Sequence, residues 1–230
     1  VAAADAVQDI TAYDAVDSDY DIEDDASTLL STTGVDAVVD SGVDQVFVTD
    51  SSVDADTGVA LNDLELSLQD VGGTDIEFTV TDTAGAVASE LSATGDELDE
   101  ANDVNVVGGT IDVAAADAVQ DITAYDAVDS SYVIEDSAGS VLGDTGTILD
   151  GGVAHVDVNS IASANVGVAL GDLEDALEAG YSSDISFTVS DDASAIAGVL
   201  AQGDELNNAD DVNVVGSTID VANAALVQSI

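Results

Sequence analysis

Carboxylates are the residues of this sequence that could do chemistry, and they recur at fixed places. Five aspartates each close a short alternating apolar stretch: Asp24, Asp50, Asp82, Asp136 and Asp191. Two acidic clusters add Asp96, Glu97 and Asp103 in one and Asp204, Glu205 and Asp211 in the other. Ca²⁺ accepts roughly six to eight oxygen ligands in flexible geometry, which suits such groups better than the stricter demands of Mg²⁺. We therefore predict metal sites at these residues, with Ca²⁺ as the cofactor.

A simpler role is available to some of these aspartates. Asp82 and Asp136 stand just before segments with helical spacing, where Asp is a favoured N-cap residue. Capping alone and capping combined with metal ligation are both consistent with this position. The two acidic clusters similarly fit either a loop folded around one ion or a solvated acidic turn.

Catalytic chemistry is not indicated by the remaining residue types. His155 is the one histidine, and it aligns with Gln45 in a related segment, which favours an exposed strand residue over a general base. The sequence has no Gly-x-Ser-x-Gly elbow, and a phosphate-binding loop would need a Lys that it lacks. Without Lys or Arg, only backbone donors or a bound metal could stabilise an anionic transition state. We predict a protein that is not an enzyme and has no catalytic residues.

The charge balance limits the partners of this chain. It has 49 Asp and Glu residues and no Lys or Arg, for a formal charge of −49. Binding nucleic acid requires cationic side chains that displace its counterions, so nucleic acid is excluded, and so is an anionic membrane surface. No apolar run approaches the ~18 residues of a membrane span. The hydrophobic fraction of 46% nevertheless exceeds that of disordered acidic chains, so the chain should fold and take divalent cations as partners.

The elements that position these carboxylates repeat along the chain. Residues 1–18 recur unchanged at 113–130, and DVNVVGGTID, ending at Asp112, returns as DVNVVGSTID, ending at Asp220. The copies are predicted as 1–112 (with sub-units 1–58 and 59–112), 113–220 (with sub-units 113–167 and 168–220) and the start of a third copy at 221–230.

Strands and helical segments alternate within these copies. An alternating strand begins about every 27 residues, near positions 20, 46, 78, 104, 132, 156, 187 and 212. Segments between them carry apolar residues at helical spacing, such as Leu61, Leu64 and Leu66. This predicts one continuous α/β solenoid of stacked coils, each with one parallel strand and a short helix or turn. If the alanine-rich segments are not true helices, the alternative is an all-β parallel solenoid.

Stacking would also bring like carboxylates together. Equivalent residues of neighbouring coils would lie about 4.8 Å apart, and two unit charges at that distance repel by roughly 0.9 kcal/mol in water. A row of such aspartates would therefore destabilise the stack unless cations lay between them.

Three phrases suggest a family. FTVTDTAGAVA, FTVSDDASAIA and YVIEDSAGSVL, set between Val-Ala-x-x-Asp helices and Val-x-Val-x-(Asp/Asn) strands, resemble the tandem repeats of large acidic secreted bacterial surface proteins, of the repeat-adhesin or calcium-binding repeat type. The resemblance covers essentially the whole chain. It implies an extracellular cell-surface protein, structural or adhesive and frequently calcium-dependent. The GGxGxDxUx nonapeptide of toxin-type repeats does not occur, so a calcium site here would be of another kind.

These observations together predict a structural subunit or segment of an extracellular fibre, stabilised by Ca²⁺ bound between stacked coils. Its partners would be copies of itself, joined end to end in a filament, or adjoining repeats. One alternative is a spacer or stalk region of a giant cell-surface adhesin. Another is a halophilic acidic surface protein without specific metal sites, which explains the excess of acid but not the loss of every Lys and Arg.

Overall fold

The computed structural model describes residues 1–8, 20–39, 42–69, 74–94, 98–181, 183–203, 206–216 and 218–230. Within these residues the chain is a mixed α/β protein with eleven helices and ten strands. It divides into two compact units, the first made of residues 1–107 and 118–129, the second of residues 108–117 and 130–230.

The elements follow each other as alternating helices and strands. In order they are α1 (Ala2–Gln8), β1 (Tyr20–Asp24), α2 (Ala26–Leu29), α3 (Thr32–Val38), β2 (Val43–Val48), α4 (Ala55–Gln69), β3 (Asp75–Glu77), β4 (Thr79–Asp82), α5 (Ala84–Thr94), β5 (Asp103–Ile111) and α6 (Val113–Gln120). They continue with β6 (Ser131–Asp136), α7 (Ala138–Gly143), α8 (Thr145–Ile148), β7 (Val153–Val158), α9 (Ala164–Gly180), β8 (Asp184–Ser186), β9 (Thr188–Asp191), α10 (Ala193–Gln202), β10 (Asp211–Val214) and α11 (Val221–Val227).

The strands form three separate parallel sheets. Their orders are β1-β2-β3, β4-β5-β6-β7-β8 and β10-β9. Valines at the centre of each unit fix the register: Val46 lies opposite Ile22 and Ile76, and Val156 lies opposite Ile134 and Ile185. All these side chains are buried, since every second residue of a strand faces the same side.

The predicted solenoid of stacked coils is wrong, and so is the all-β alternative. A solenoid needs one ladder running through all strands, but the ladder changes sheets at Phe78, where β3 pairs with β2 and β4 pairs with β5. The Phe78 N–H donates to Asn102 Oδ1 at 2.7 Å, and its carbonyl accepts the Asn102 N–H at 2.9 Å. Phe187 separates β8 from β9 in the same way, so the breaks are built into both copies.

The connections between strands are also unequal, whereas the prediction was one short helix or turn in every coil. Two short helices, α2 and α3, join β1 to β2, whereas the 15-residue helix α4 joins β2 to β3. The corresponding helix of the second unit, α9, has 17 residues, so the alanine-rich segments are true helices. No helix in the described part of the chain has the length and apolar composition needed to cross a membrane.

Helix α4 shows how the sequence packs a helix against a sheet. It begins after Asp54, whose Oδ1 accepts the Thr57 N–H at 2.9 Å as an N-cap does. Its buried face contains Leu61, Leu64 and Leu68. Leu66, which the spacing assigned to the apolar face, is 44% exposed.

Candidate functional site

The five aspartates that close the predicted strands are named here the strand-end aspartates: Asp24, Asp50, Asp82, Asp136 and Asp191. Four of them are the last residues of β1, β4, β6 and β9, and Asp50 follows β2. In the first unit, Asp82 Oδ1 accepts the N–H of Thr83 at 2.7 Å and Oδ2 accepts the N–H of Ala55 at 3.1 Å. Ala55 is the first residue of α4, so the carboxylate holds the start of a helix that precedes its own strand.

The second unit repeats this contact at Asp191. Its Oδ1 accepts the Asp192 N–H at 2.8 Å, and its Oδ2 accepts the N–H of Ala164, the first residue of α9, at 3.0 Å. A negative charge is favourable at this place because the first amides of a helix point outward and carry partial positive charge.

The other strand-end aspartates make the same kind of contact within their own units. Asp136 Oδ2 accepts the Val113 N–H at 3.2 Å, Asp24 Oδ2 accepts the amino group of Val1 at 3.2 Å, and Asp50 Oδ2 accepts the Ala26 N–H at 2.8 Å. Ser160 stands at the position of Asp50 in the second copy, and its Oγ accepts the Ala138 N–H at 2.9 Å. A serine hydroxyl therefore makes this contact at one of the positions, which indicates that the contact has a structural role.

Capping of the following helix belongs to another residue. Asp82 and Asp136 were candidates for that role, but Thr83 Oγ1 accepts the Ala86 N–H and Ser137 caps α7. Asp192 caps α10 in the same manner. The strand-end aspartate therefore binds the start of an earlier helix, whereas the residue after it caps the following helix.

Hydrogen bonds favour the charged form of two of these carboxylates, Asp136 and Asp192. Burial opposes ionisation of Asp136, yet the N–H groups of Ser137 and Val113 and the nearby serine hydroxyls outweigh it and lower its pKa. Hydrogen bonds from Ser194 and from the amides at the start of α10 lower the pKa of Asp192. Both groups therefore stay ionised well into the acid range.

Those predicted metal ligands that the structure describes are not gathered into one cage. Among the described residues, no group of three or more His, Asp or Glu side chains is placed to hold a metal ion. Each carboxylate oxygen that accepts one N–H keeps a second lone pair, which suits an ion shared with water. A cation at a strand-end aspartate would therefore have mostly water as its other ligands.

The acidic clusters are only partly described. Asp96, Glu97, Asp204 and Glu205 lie outside the described residues. The closing aspartates are the first residues of strands: Asp103 opens β5 and Asp211 opens β10. Asp103 Oδ2 accepts from Asn105 Nδ2 at 3.0 Å, and Asp211 Oδ2 accepts from Asn213 Nδ2 at 2.8 Å. The two copies again use one arrangement.

His155 is half-buried rather than exposed, and it has two acidic neighbours. Its Nδ1 lies 2.9 Å from Asp184 Oδ1 on β8, and its Nε2 lies 3.0 Å from Asp157 Oδ1 on its own strand. Burial opposes the charged imidazolium, but the hydrogen bonds and charges of Asp184 and Asp157 outweigh it and raise the pKa of His155. A histidine held between two carboxylates in this way acts as an ion-pair partner.

We expect His155→Gln, which installs the residue of the sister position Gln45, to weaken the second unit at acid pH only. A raised pKa stabilises the fold below the ordinary histidine value of 6.5, and this contribution disappears as the pH rises through the folded value. The loss should be at most about 1 kcal/mol at pH 5.5, because the pair is partly exposed. Urea denaturation at pH 5.5 and 8.5 measures it, and an equal loss at both values would contradict the ion pair.

Two buried glutamates form a second, unexpected feature. Glu65 on α4 is 3% exposed and Glu174 on α9 is 9% exposed, and the Oε2 atom of each has no hydrogen-bond partner in the structure. Burial raises the pKa of Glu65 to about 7, with a smaller contribution from the negative charges of Glu100 and Asp75. Burial likewise raises the pKa of Glu174 to about 7, and Glu178 and Asp184 are the largest of its charged neighbours.

The helical spacing of the sequence already contains the signal for these glutamates. Leu61, Leu64 and Leu68 define the buried face of α4, and Glu65 completes the i, i+3, i+4, i+7 pattern. Glu174 has the same place on α9, between Leu173 and Leu177. Sequence reasoning missed Glu65 because it assigned Leu66 to that face of α4 instead.

Comparison with known proteins adds no relatives to this description. A scan against protein-family models finds no match, and neither does a search of curated proteins. The resemblance to bacterial surface repeats therefore stays a prediction from the sequence.

Proposed function

We propose that this chain is a structural segment of an extracellular fibre or stalk, that it is not an enzyme, and that its carboxylates take up divalent cations, foremost Ca²⁺. The proposal is carried by one observation. Acidic residues at equivalent places hold equivalent helix starts in both units, as Asp82 does with Ala55 and Asp191 with Ala164. A sequence that repeats these contacts between aspartates and helix starts is suited to a long structural segment rather than to a protein with one unique cleft.

The charge of the chain supports a role for cations. Each unit carries many carboxylates and the chain has no Lys or Arg to compensate them, so the folded state suffers self-repulsion. Ions that bind the folded chain better than the unfolded chain stabilise it by mass action. The eleven predicted ligands, at the strand ends and in the two acidic clusters, are the places where we expect such binding.

The test is thermal unfolding followed by circular dichroism in chelator, in millimolar Ca²⁺, in matched Mg²⁺ and in NaCl of equal ionic strength. We expect Ca²⁺ to raise the midpoint sharply above the value that NaCl gives. The double variant Asp204→Asn, Glu205→Gln should lose part of that rise, and Asp63→Asn, at an exposed helix position, should keep all of it.

Equal midpoints in Ca²⁺ and in NaCl would mean that the carboxylates are only a screened surface, since added salt shortens the range of all charge repulsion. The predicted residues would then not be specific metal sites. An unchanged Ca²⁺ response in the acidic-cluster variant would remove that cluster from the site and leave the strand-end aspartates.

A further inference from the structure

The strands β6, β7 and β8 of the second unit present two rows of side chains on their outer face. Their inner face is buried and consists of Ile134, Val156 and Ile185. The residues before and after these point to the opposite side, since side chains alternate along a strand. One outer row is Val133, His155 and Asp184, and the other is Glu135, Asp157 and Ser186. The imidazole and three carboxylates therefore share one face of the sheet.

The ring of His155 has the orientation of a metal ligand. Its Nδ1 lies 2.9 Å from Asp184 Oδ1, and its Nε2 lies 3.0 Å from Asp157 Oδ1. A histidine that binds a metal through one nitrogen generally donates the N–H of the other to a carboxylate, which fixes the tautomer and the ring orientation. Asp184 is placed to accept the Nδ1 proton in this way. The lone pair of Nε2 is then directed toward Asp157.

The distance between His155 Nε2 and Asp157 Oδ1 fits two ligands of one tetrahedral ion. Zinc–nitrogen and zinc–oxygen bonds of about 2.0–2.1 Å place two ligand atoms about 3.3 Å apart. The observed distance of 3.0 Å is only slightly shorter. The Asp157 side chain is 49% exposed, so its carboxylate can rotate away from the hydrogen-bond line and admit the ion.

Glu135 is the third donor on this face. It is exposed and stands in register with Asp157 on the adjacent strand, about 4.8 Å away. The two carboxylates repel each other, and the chain has no Lys or Arg to place between them. A divalent ion bound by His155 and Asp157 would relieve this repulsion. Glu135 would turn toward the ion on binding, because three such ligands do not yet converge among the described side chains.

The first unit has a different pair of residues at the equivalent places. Strand β2 has Gln45 and Phe47 where β7 has His155 and Asp157, whereas the aspartate on the next strand, Asp75, is kept. Two differences between otherwise similar strands thus bring an imidazole and an oxygen ligand together in the second unit. The first unit serves as an internal control.

We propose that His155 Nε2 and Asp157 bind a transition-metal ion of the Zn²⁺ type, with Glu135 as a third ligand and Asp184 as the group that orients the ring. An imidazole nitrogen suits Zn²⁺, Cu²⁺ or Ni²⁺, whereas Ca²⁺ takes oxygen ligands. Water completes the coordination. The site goes beyond the proposed uptake of Ca²⁺ and does not rest on it.

The experiment is a calorimetric titration of the whole chain with ZnCl₂ at pH 7.5 in millimolar Ca²⁺, which competes for sites made only of oxygen ligands. We expect one Zn²⁺ to bind per chain. His155→Gln, which installs the residue of the sister position, should abolish this binding. Asp184→Asn should weaken it roughly 10- to 100-fold, the usual effect of losing the carboxylate that orients a metal-binding histidine. Asp75→Asn, the matched change in the first unit, should bind Zn²⁺ like wild type.

Nuclear magnetic resonance gives a direct second readout, because His155 is the one histidine of the chain. Its carbon-bound ring protons produce a single set of signals, and Zn²⁺ should shift them. The ring nitrogen spectrum should show a proton kept on Nδ1 and the metal on Nε2. Zinc bound by carboxylates elsewhere would leave the imidazole signals in place.

The first unit also allows the site to be built. Gln45→His combined with Phe47→Asp creates the same pair beside Asp75. This double variant should bind two Zn²⁺ per chain and show a second set of imidazole signals that respond to the metal. Circular dichroism establishes that it is folded.

Three results would overturn the proposal: no Zn²⁺ binding that survives millimolar Ca²⁺, a His155→Gln chain that binds Zn²⁺ like wild type, or imidazole signals that Zn²⁺ leaves in place. Full affinity in Asp184→Asn would overturn the assignment of the metal to Nε2. A folded double variant that binds only one ion would overturn this pair as the ligands. The Ca²⁺-dependent rise in melting temperature is measured separately, so either proposal can fail while the other stands.

Discussion

Replacing both buried glutamates by glutamine, in the double variant Glu65→Gln, Glu174→Gln, should stabilise the protein at pH 8 and flatten its stability between pH 5 and pH 8. Each glutamate is forced to ionise in a nearly water-free position at pH 8, with Oε2 unpaired. Glutamine keeps the shape and removes the charge, so the cost of burying a carboxylate disappears.

The sign of the pH dependence follows from the raised pKa. Both groups have a folded pKa of about 7 against an ordinary value of 4.5. The folded state therefore holds protons that the unfolded state has released, and stability falls as the pH rises from about 4.5 through 7. Because a tenfold difference in proton affinity corresponds to roughly 1.4 kcal/mol, the loss of stability is on the order of 3 kcal/mol at each glutamate.

Urea denaturation at several pH values measures this effect. The wild-type chain should be most stable in mildly acid solution, because below about pH 4 the ionised aspartates with lowered pKa, such as Asp54 and Asp136, begin to lose their own contribution. Asp63→Asn, Asp172→Asn is the matched control, since it removes one charge from each of the same helices at exposed positions. A glutamine variant that keeps the wild-type slope would contradict the buried-charge interpretation.

Much of the local structure could be predicted from the sequence, and the reason is physical. Alternation of apolar residues places strands at Tyr20–Asp24 and Thr188–Asp191, because a half-buried strand needs that period. The breaks at Phe78 and Phe187 could not be predicted in this way. Both residues keep the strand-like alternation, and only the hydrogen bonds of their backbones show that the ladder changes partner.

The residues of the candidate site could be predicted from the sequence, but their contacts could not. The spacing identified the strand-end aspartates, since each closes an alternating stretch. Their partners, such as Ala55 for Asp82 and Ala164 for Asp191, lie 27 residues away along the chain. An aspartate directly before a segment with helical spacing suggests an N-cap of that following helix. In the structure the strand-end aspartate instead contacts the start of an earlier helix.

Gly34→Ala should destabilise the first unit by about 3 kcal/mol, the upper part of the usual range for overpacking. Gly34 lies near the start of α3, where its N–H is held by the Ser31 hydroxyl at 3.1 Å. A methyl group there would collide with the backbone carbonyl groups of Thr28 and Leu29, and it would lie 2.7 Å from the carbonyl carbon of Leu29. Backbone atoms at the end of α2 cannot move away by a change of rotamer, as a side chain can. Helices α2 and α3 would therefore have to separate.

The second copy provides the control for this substitution. Gly146 aligns with Gly34 in the sequence of the second copy and is the second residue of α8, and a methyl group there would meet only Asp144 Oδ1, at 3.6 Å. Gly146→Ala should therefore leave stability unchanged or raise it by up to about 1 kcal/mol, since Ala favours a helix over Gly. Urea denaturation measures both variants, and amide hydrogen exchange locates the loss at α2 and α3. Equal effects at Gly34 and Gly146 would show that helix propensity, and not the close approach of α2 to α3, determines the outcome.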